Sequence, residues 1–242
     1  MNITLVPYKG YSKATQLLLA ENPSWSYNTK GGDIIINYGS TTKNYSGTLF
    51  INHPHNVKKA VNKLTCFQLL AGTVNIPRFT TSVEEASTYN RPVYERHLLC
   101  ATQGKGIVVN NDQPLGNAKL YVEGLDIKRE YRVIVIKDTI VATMMKVPRR
   151  AEEQNYDIRN MDNGWRYSNT TPYPNELASV TTEAVKAVKA LGLQFGAVDL
   201  VVTTEYIPTV LEVNTAFGLG ENNVKLFSEA LNAYINTIKE LL

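Results

Sequence analysis

Near the carboxyl end of the chain, three side chains with hard oxygen donors fall at a spacing that would bring them together. Phe195-Gly196-Ala197-Val198-Asp199-Leu200-Val201-Val202 is followed, after a short polar interval, by Thr209-Val210-Leu211-Glu212-Val213-Asn214. Side chains alternate along a strand, so Glu212 and Asn214 share one face while Leu211 and Val213 take the other. If residues 203–208 close a hairpin symmetrically, 202 pairs with 209 and Asp199 falls opposite Glu212. Directly opposed carboxylates destabilise a ladder by a few tenths to ~1 kcal/mol, and by more when buried. A divalent cation removes the conflict. Asp, Glu and Asn all supply oxygen ligands, and Mg²⁺ completing its shell with phosphate oxygens and water is the usual arrangement at a nucleoside triphosphate. The alternative is an edge hairpin whose polar face meets only solvent.

Upstream segments would complement such a metal. Cys100-Ala101-Thr102-Gln103-Gly104-Lys105-Gly106 joins two predicted strands, and its glycines let backbone N–H groups approach an anion. It matches neither the Walker nor the Rossmann pattern, and an ordinary hairpin turn has the same composition. Glu130 and Arg132 share a strand face, with Lys146, Arg149, Arg150 and Arg159 downstream. Cations facing an acidic metal hairpin are what a polyphosphate needs as its charge shifts during transfer. Without the metal hairpin, the same residues read as a salt-bridged surface.

Other chemistries find little support. Cys66 and Cys100 read as small apolar thiols in a reduced compartment, and His53, His55 and His97 lack a zinc-ligand spacing. The formal charge of +3 is too small for a dedicated nucleic-acid binder, so nucleic acid is a possible partner but not an indicated one. Met1-Asn2-Ile3-Thr4-Leu5-Val6-Pro7 has no basic region leading into an apolar stretch, and no apolar run approaches the ~18 residues of a membrane span. A cytoplasmic protein without signal peptide or membrane partner is expected.

The elements that must position these residues alternate in type. Residues 1–55 read as a reduced α/β unit, with strands at 3–8, 33–38 and 49–52 and a helix at 13–20. A helix follows at 57–71, with Asn56 as N-cap and Gly72 just past its end. Short strands dominate 76–147, the last two (131–137 and 139–146) joined across Lys137-Asp138. The polar stretch 149–174 reads as a long, functional loop with a short strand at 165–167, where Trp165 and Tyr167 would shape a substrate pocket. Helices are expected at 176–191, capped by Asn175 and ended by Gly192, and at 228–242, flanking strands 195–203 and 209–215. One lobed α/β unit of the α+β kind fits this order.

Taken in sequence, several short motifs resemble the ATP-grasp superfamily, in particular ribosomal-protein glutamylating ligases and small bacteriophage-encoded ATP-grasp proteins. They are Asn62-Lys63 with Leu69-Leu70 and Asn75-Ile76-Pro77; Val93-Tyr94-Glu95-Arg96 with Thr102-Gln103-Gly104-Lys105-Gly106-Ile107; Leu120-Tyr121-Val122-Glu123; Arg129-Glu130-Tyr131-Arg132-Val133; Ile158-Arg159-Asn160; and Gly196-Ala197-Val198-Asp199 with Leu211-Glu212-Val213-Asn214. The likeness spans residues 63–220.

The resemblance implies two β-rich lobes clasping ATP: an ATP-grasp domain at 56–242, with its small lobe at 74–122 and large lobe at 123–242, behind a shortened N-terminal α/β domain. It implies that Lys63 and Arg96 contact phosphates beneath a loop of Thr102, Gln103, Gly104, Lys105 and Gly106. Tyr121, Val122 and Glu123 would form a hinge whose backbone reads adenine, with Glu130 on the ribose. Arg132, Arg159 and Asn160 would lie near the γ-phosphate and the reacting carboxylate, Lys146 joining Arg132 and Arg159 as catalytic cations. Asp199, Glu212 and Asn214 would hold Mg²⁺.

The implied reaction is ADP-forming ligation of a small-molecule or peptide carboxylate to an amine acceptor through an acylphosphate. A kinase acting on a hydroxyl and a non-catalytic, nucleotide-dependent binding module are the alternatives. Two departures bear on this. Arg96 stands where the glutamylating ligases carry lysine, bringing a planar fork in place of a point charge. The N-terminal portion is also shorter than the domain that usually precedes the grasp.

Overall fold

The computed structural model describes residues 1–27, 31–42, 45–89, 92–101, 104–112, 116–149, 154–169 and 173–241. Every residue of β1 (Ile3–Pro7) is buried, as expected of a strand covered on both faces. It is followed by α1 (Lys13–Glu21), capped where the Ser12 hydroxyl accepts from the Thr15 amide at 3.3 Å, and by β2 (Ser26–Tyr27), β3 (Gly31–Tyr38) and β4 (Ser46–Ile51). The four strands form a parallel sheet in the order β2-β1-β3-β4.

Beyond β4 the chain turns at Asn52, a buried residue in the left-handed region (φ 64°). Its side chain donates to the Phe195 carbonyl (2.9 Å) and accepts from the amides of Gln194 (2.8 Å) and Phe195 (3.1 Å). Asn52 thereby ties the first sheet to the last part of the chain. Asn52→Ala is expected to lower stability by about 3 kcal/mol, combining lost buried hydrogen bonds with positive-φ strain. Asn52→Gly should recover about 1 kcal/mol of that by removing the strain. Urea denaturation of the two variants measures both.

The expected helix over 57–71 is two helices, α2 (Pro54–Val61) and α3 (Lys63–Leu70). The apolar spacing runs through both, but Asn62 between them is extended (ψ 111°), and its side chain accepts from the Thr65 amide at 3.1 Å. An asparagine that caps locally competes with helix continuation. His53, not Asn56, is the N-cap of α2, because Pro54 suits the first helical position. The break matters to the site because it puts Lys63 at the start of α3.

The small lobe comprises β5 (Phe79–Thr80), the short helix α4 (Val83–Ala86), β6 (Val93–Arg96), β7 (Ile107–Asn110) and β8 (Leu120–Glu123), an antiparallel sheet in the order β5-β8-β6-β7. The large sheet follows: β9 (Ile127–Ile136), β10 (Thr139–Pro148), β11 (Trp165–Ser168), then α5 (Pro174–Ala190), β12 (Phe195–Thr203), β13 (Pro208–Asn214) and α6 (Glu221–Lys239). Its order is β11-β10-β9-β12-β13.

Boundaries elsewhere also differ from expectation. Tyr173 with Pro174, not Asn175, begins α5. Helix α6 starts at Glu221 instead of 228, its Asn222 and Asn223 hiding the periodicity that Val224, Phe227, Leu231 and Ile235 carry. Strand β9 starts at Ile127 instead of 131.

Alternation along β9 sorts its side chains. Tyr131, Val133 and Val135 pack with Val180, Ala184 and Val188 of α5. Ile134 and Ile136 face the opposite way, into a core shared with Phe227 and Leu231 of α6 and with Ile34 and Ile36 of the first sheet. Glu130 and Arg132 lie on this second face, beyond the end of its apolar packing. Charged groups are thus displayed where the apolar packing of helix and sheet stops.

Candidate active site

The row that crosses the large sheet at its polar end is Met144 on β10, Arg132 on β9, Asp199 on β12 and Glu212 on β13. Asp199 therefore does lie opposite Glu212. The register reaches this by a different path than symmetric closure, since Leu200 pairs with Val210 and Val202 with Pro208, not 209. A bulge beside Asp199 absorbs one residue of β13, a device that re-aims side chains at sites.

Three carboxylates at this end each meet a cation. Arg132 grips Asp199 in two parallel bonds, Nε to Oδ1 and Nη2 to Oδ2, both 2.7 Å. Lys63, arriving from the start of α3, bonds Glu212. Lys146 bonds Glu130 and also donates to the Arg159 carbonyl at 2.8 Å. The Asn214 amide nitrogen spans the two facing carboxylates, 3.0 Å from Asp199 Oδ2 and 2.6 Å from Glu212 Oε1.

Exposure separates the carboxylates. The Glu212 side chain retains 30% exposure, against 8% for Asp199 and 6% for Glu130. Burial pushes the Glu212 carboxyl up, but the Lys63 ammonium, hydrogen bonds from Lys63 and Asn214, and the nearby Arg132 outweigh it and hold it well below the usual carboxylate range. Glu130 goes the other way, since burial raises its carboxyl more than Lys146 lowers it.

Arg96 approaches the same cluster from β6. Burial lowers its pKa against the pull of Glu212. Its Nε is buried with no hydrogen-bond partner among the described residues. A buried donor of this kind is costly unless something accepts from it. Gly104 (φ 75°) lies against the Ile158–Asn160 stretch: a Cβ built there would be 2.8 Å from Ile158 Cγ2 and 3.5 Å from Asn160 Nδ2. The glycine connection and the 158–160 stretch, remote in sequence, therefore meet in space.

Other expected site residues are placed differently. Lys105 is exposed, and Gln103, like Thr102 and Arg150, lies outside the described residues. Tyr121 turns its ring away from the charged cluster into a small core with Ala86 and Val93. Residues 121 and 122 are paired to strands on both edges, and the amides of Glu123 and Gly124 donate to the Arg78 (2.9 Å) and Pro92 (2.7 Å) carbonyls. The hinge amides expected to read adenine at Tyr121, Val122 and Glu123 are thus committed within the lobe, because β8 is an interior strand. Val122 packs with Phe67 and Leu120 on the other side of that sheet.

Tyr167 was not among the site residues expected at the charged cluster. It pairs with Lys146 across β10 and β11, its ring lies 4.2 Å from the Arg132 guanidinium and 5.0 Å from the Lys146 ammonium, and its hydroxyl donates to Asp199 Oδ1 at 3.1 Å. The available signal was its alternation with Trp165, but only the β10–β11 pairing tells which face meets the charges. Arg159, by contrast, stacks 4.9 Å from the Trp165 ring.

Among the described residues no group of three or more His, Cys, Asp or Glu is placed to hold a metal ion, so the donor set here is two carboxylates and an amide. None of the described helices is long and apolar enough to cross a membrane.

With its parallel first sheet, its four-stranded antiparallel sheet and its five-stranded sheet carrying the acidic hairpin, the chain has the ATP-grasp fold. D-alanine–D-alanine ligase from Bacillus anthracis superposes with a TM-score of 0.70 at 14% identity, covering 100% of both chains. VanG D-Ala:D-Ser ligase from Enterococcus faecalis gives 0.72 at 13% identity over 97% of this chain and 98% of that one. The ATP-grasp ligase PsnB, solved with a phosphomimetic variant of its minimal precursor, Mg and ADP, gives 0.66 at 14% identity over 96% and 98%. No protein-family model and no curated protein sequence matches the chain.

Proposed function

We propose that this chain is a Mg²⁺-dependent, ADP-forming ligase that joins a carboxylate to an amine through an acylphosphate. The observation that carries the reading is the opposition of Asp199 and Glu212, bridged by Asn214 and ringed by Lys63, Arg96 and Arg132. The donor set fits Mg²⁺: carboxylates and an amide are oxygen ligands, and a half-turn of the Asn214 amide presents its Oδ1. Asp199, Glu212 and Asn214 would hold the ion, which when bound supplies charge neutralisation to the phosphates.

Lys63 and Arg96 are assigned to the phosphates, Arg96 because its buried Nε asks for an acceptor. Arg132, Lys146 and Arg159, with Asn160 beside them, are assigned to the terminal phosphate and the reacting carboxylate, Glu130 holding Lys146 in place. In the reaction a substrate carboxylate oxygen attacks the γ-phosphorus and the bond to ADP breaks. The amine then attacks the acyl carbon, and inorganic phosphate leaves. Catalysis of this kind needs positioning and fixed charge and no protein nucleophile. The likeness to enzymes named for D-alanine substrates and to one solved with a precursor favours an amino acid or peptide as the carboxylate.

ADP release over pooled amino acids and peptides, with hydroxylamine present, tests the reading. Hydroxamate with ADP is the expected result, whereas a stable phosphomonoester would make the protein a kinase. Gly104→Ala tests the loop. A Cβ there requires both a left-handed alanine and displacement of Ile158 in the unliganded fold, so apo stability should fall by about 1–2 kcal/mol. Urea denaturation measures that loss, and binding of a fluorescent ADP analogue to the folded variant shows whether the loop also contributes to nucleotide affinity.

A further inference from the structure

Among the described residues, the Asp199 carboxylate accepts four hydrogen bonds: from Arg132 Nε and Nη2 at 2.7 Å each, from Tyr167 at 3.1 Å and from Asn214 at 3.0 Å. A carboxylate has about four lone-pair sites, so Asp199 is saturated by protein. Glu212 accepts from Lys63 and Asn214 and keeps 30% of its side chain exposed. The two facing carboxylates are therefore unequal. A cation can join Glu212 directly, but it reaches Asp199 only where a donor leaves.

The donors on Asp199 differ in whether they have another place to go. Arg132 has the phosphates of a bound nucleotide, and the Asn214 amide can turn its oxygen outward. Tyr167 has neither option: its ring is held at 4.2 Å from Arg132 and 5.0 Å from Lys146, and it packs against the core shared with α6. We propose that Tyr167 is a positioning residue for the metal site, its hydroxyl anchoring Asp199 Oδ1 so that the carboxylate would keep its orientation as a ligand if Arg132 were drawn to a bound phosphate. The inference rests on the Mg²⁺–nucleotide reading of the site. It adds that the geometry of Asp199 as a ligand is set from β11, an element that contributes no ligand itself. A donor to the free oxygen of a ligating carboxylate orients it, and losing such a donor typically weakens metal affinity 10–100-fold.

The test is thermal melting of the full chain at fixed, saturating ADP over a Mg²⁺ titration, paired with binding of a fluorescent ADP analogue in EDTA. Tyr167→Phe keeps the ring under both cations and removes one hydrogen bond, so it should fold as the wild type does, with apo melting temperature as the control. Its half-saturating Mg²⁺ should rise about tenfold while metal-free ADP binding stays unchanged. Tyr167→Leu, which also removes the ring beneath Arg132 and Lys146, should weaken metal-free ADP binding as well. A Tyr167→Phe protein with wild-type Mg²⁺ dependence, or with metal-free binding weakened in the same proportion, overturns the assignment while leaving the site reading intact. A wild type whose melting shows no Mg²⁺ dependence with nucleotide overturns both.

Discussion

Glu212→Gln is expected to abolish the Mg²⁺-dependent stabilisation by nucleotide, a loss of about 2.7 kcal/mol at a hundredfold excess of ligand over its Kd. Glu212 is the carboxylate with lone pairs to spare and the most exposure, so it is the one a cation would reach first. Glutamine keeps the shape and removes the charge. It also leaves the Lys63 ammonium, only 8% exposed, without its counter-charge, so the apo protein should melt lower. The quantity to compare is therefore the nucleotide-induced shift and not the melting temperature itself. Binding of a fluorescent ADP analogue in EDTA, which a folded Glu212→Gln protein should retain, separates the metal's loss from the loss of folding.

The same pair gives a pH signature. The Glu212 carboxyl is held below its ordinary 4.5 in the folded chain. A depressed folded pKa contributes stability that is present above the unfolded value and is lost as pH falls through the folded one. Wild type should thus exceed Glu212→Gln in apo stability at neutral pH, with the gap closing as the solution is acidified below about pH 4.5. Urea midpoints across an acid series measure it, and a gap independent of pH would remove the Lys63–Glu212 pair as its source.

What sequence could and could not reveal follows from the range of the physics. Counting from a 202–209 closure puts Asp199 opposite Glu212, and the pair is found because two departures cancel: Val202 pairs with Pro208, and a bulge beside Asp199 restores the residue. The bulge that shifts the distal half of the hairpin by one residue was not readable, because it depends on how β13 packs and leaves no mark in local composition. Lys63 entered through a family likeness. Spacing alone put it in mid-helix, and only the cap at Asn62 turns it toward Glu212. Tyr121 shows the converse. The likeness named it for the cleft, but the sheet order β5-β8-β6-β7 encloses its strand and occupies its backbone. Tyr167 needed a pairing between strands on either side of a long loop, a distance that periodicity does not cross.

Asp199→Ala should behave quite differently from Glu212→Gln, losing about 3–5 kcal/mol of apo stability. The cause is not the metal. Removing the carboxylate strips Arg132 of both its bonds where only 16% of its side chain is exposed, and strips Tyr167 and Asn214 of an acceptor each. Breaking one side of a buried ion pair costs more than the pair contributes, since a charge is left without compensation. Loss of nucleotide binding in this variant would thus report unfolding as much as coordination. Asp199→Asn keeps an acceptor for Tyr167 but still leaves Arg132 without its counter-charge, so it should lose less stability than Asp199→Ala while also losing the metal. Arg132→Met combined with Asp199→Leu removes both charges together and should recover most of the loss. If urea melts instead show Asp199→Ala as stable as wild type, Arg132 has found another anion in the cleft, and the saturation of Asp199 that distinguishes it from Glu212 would be gone.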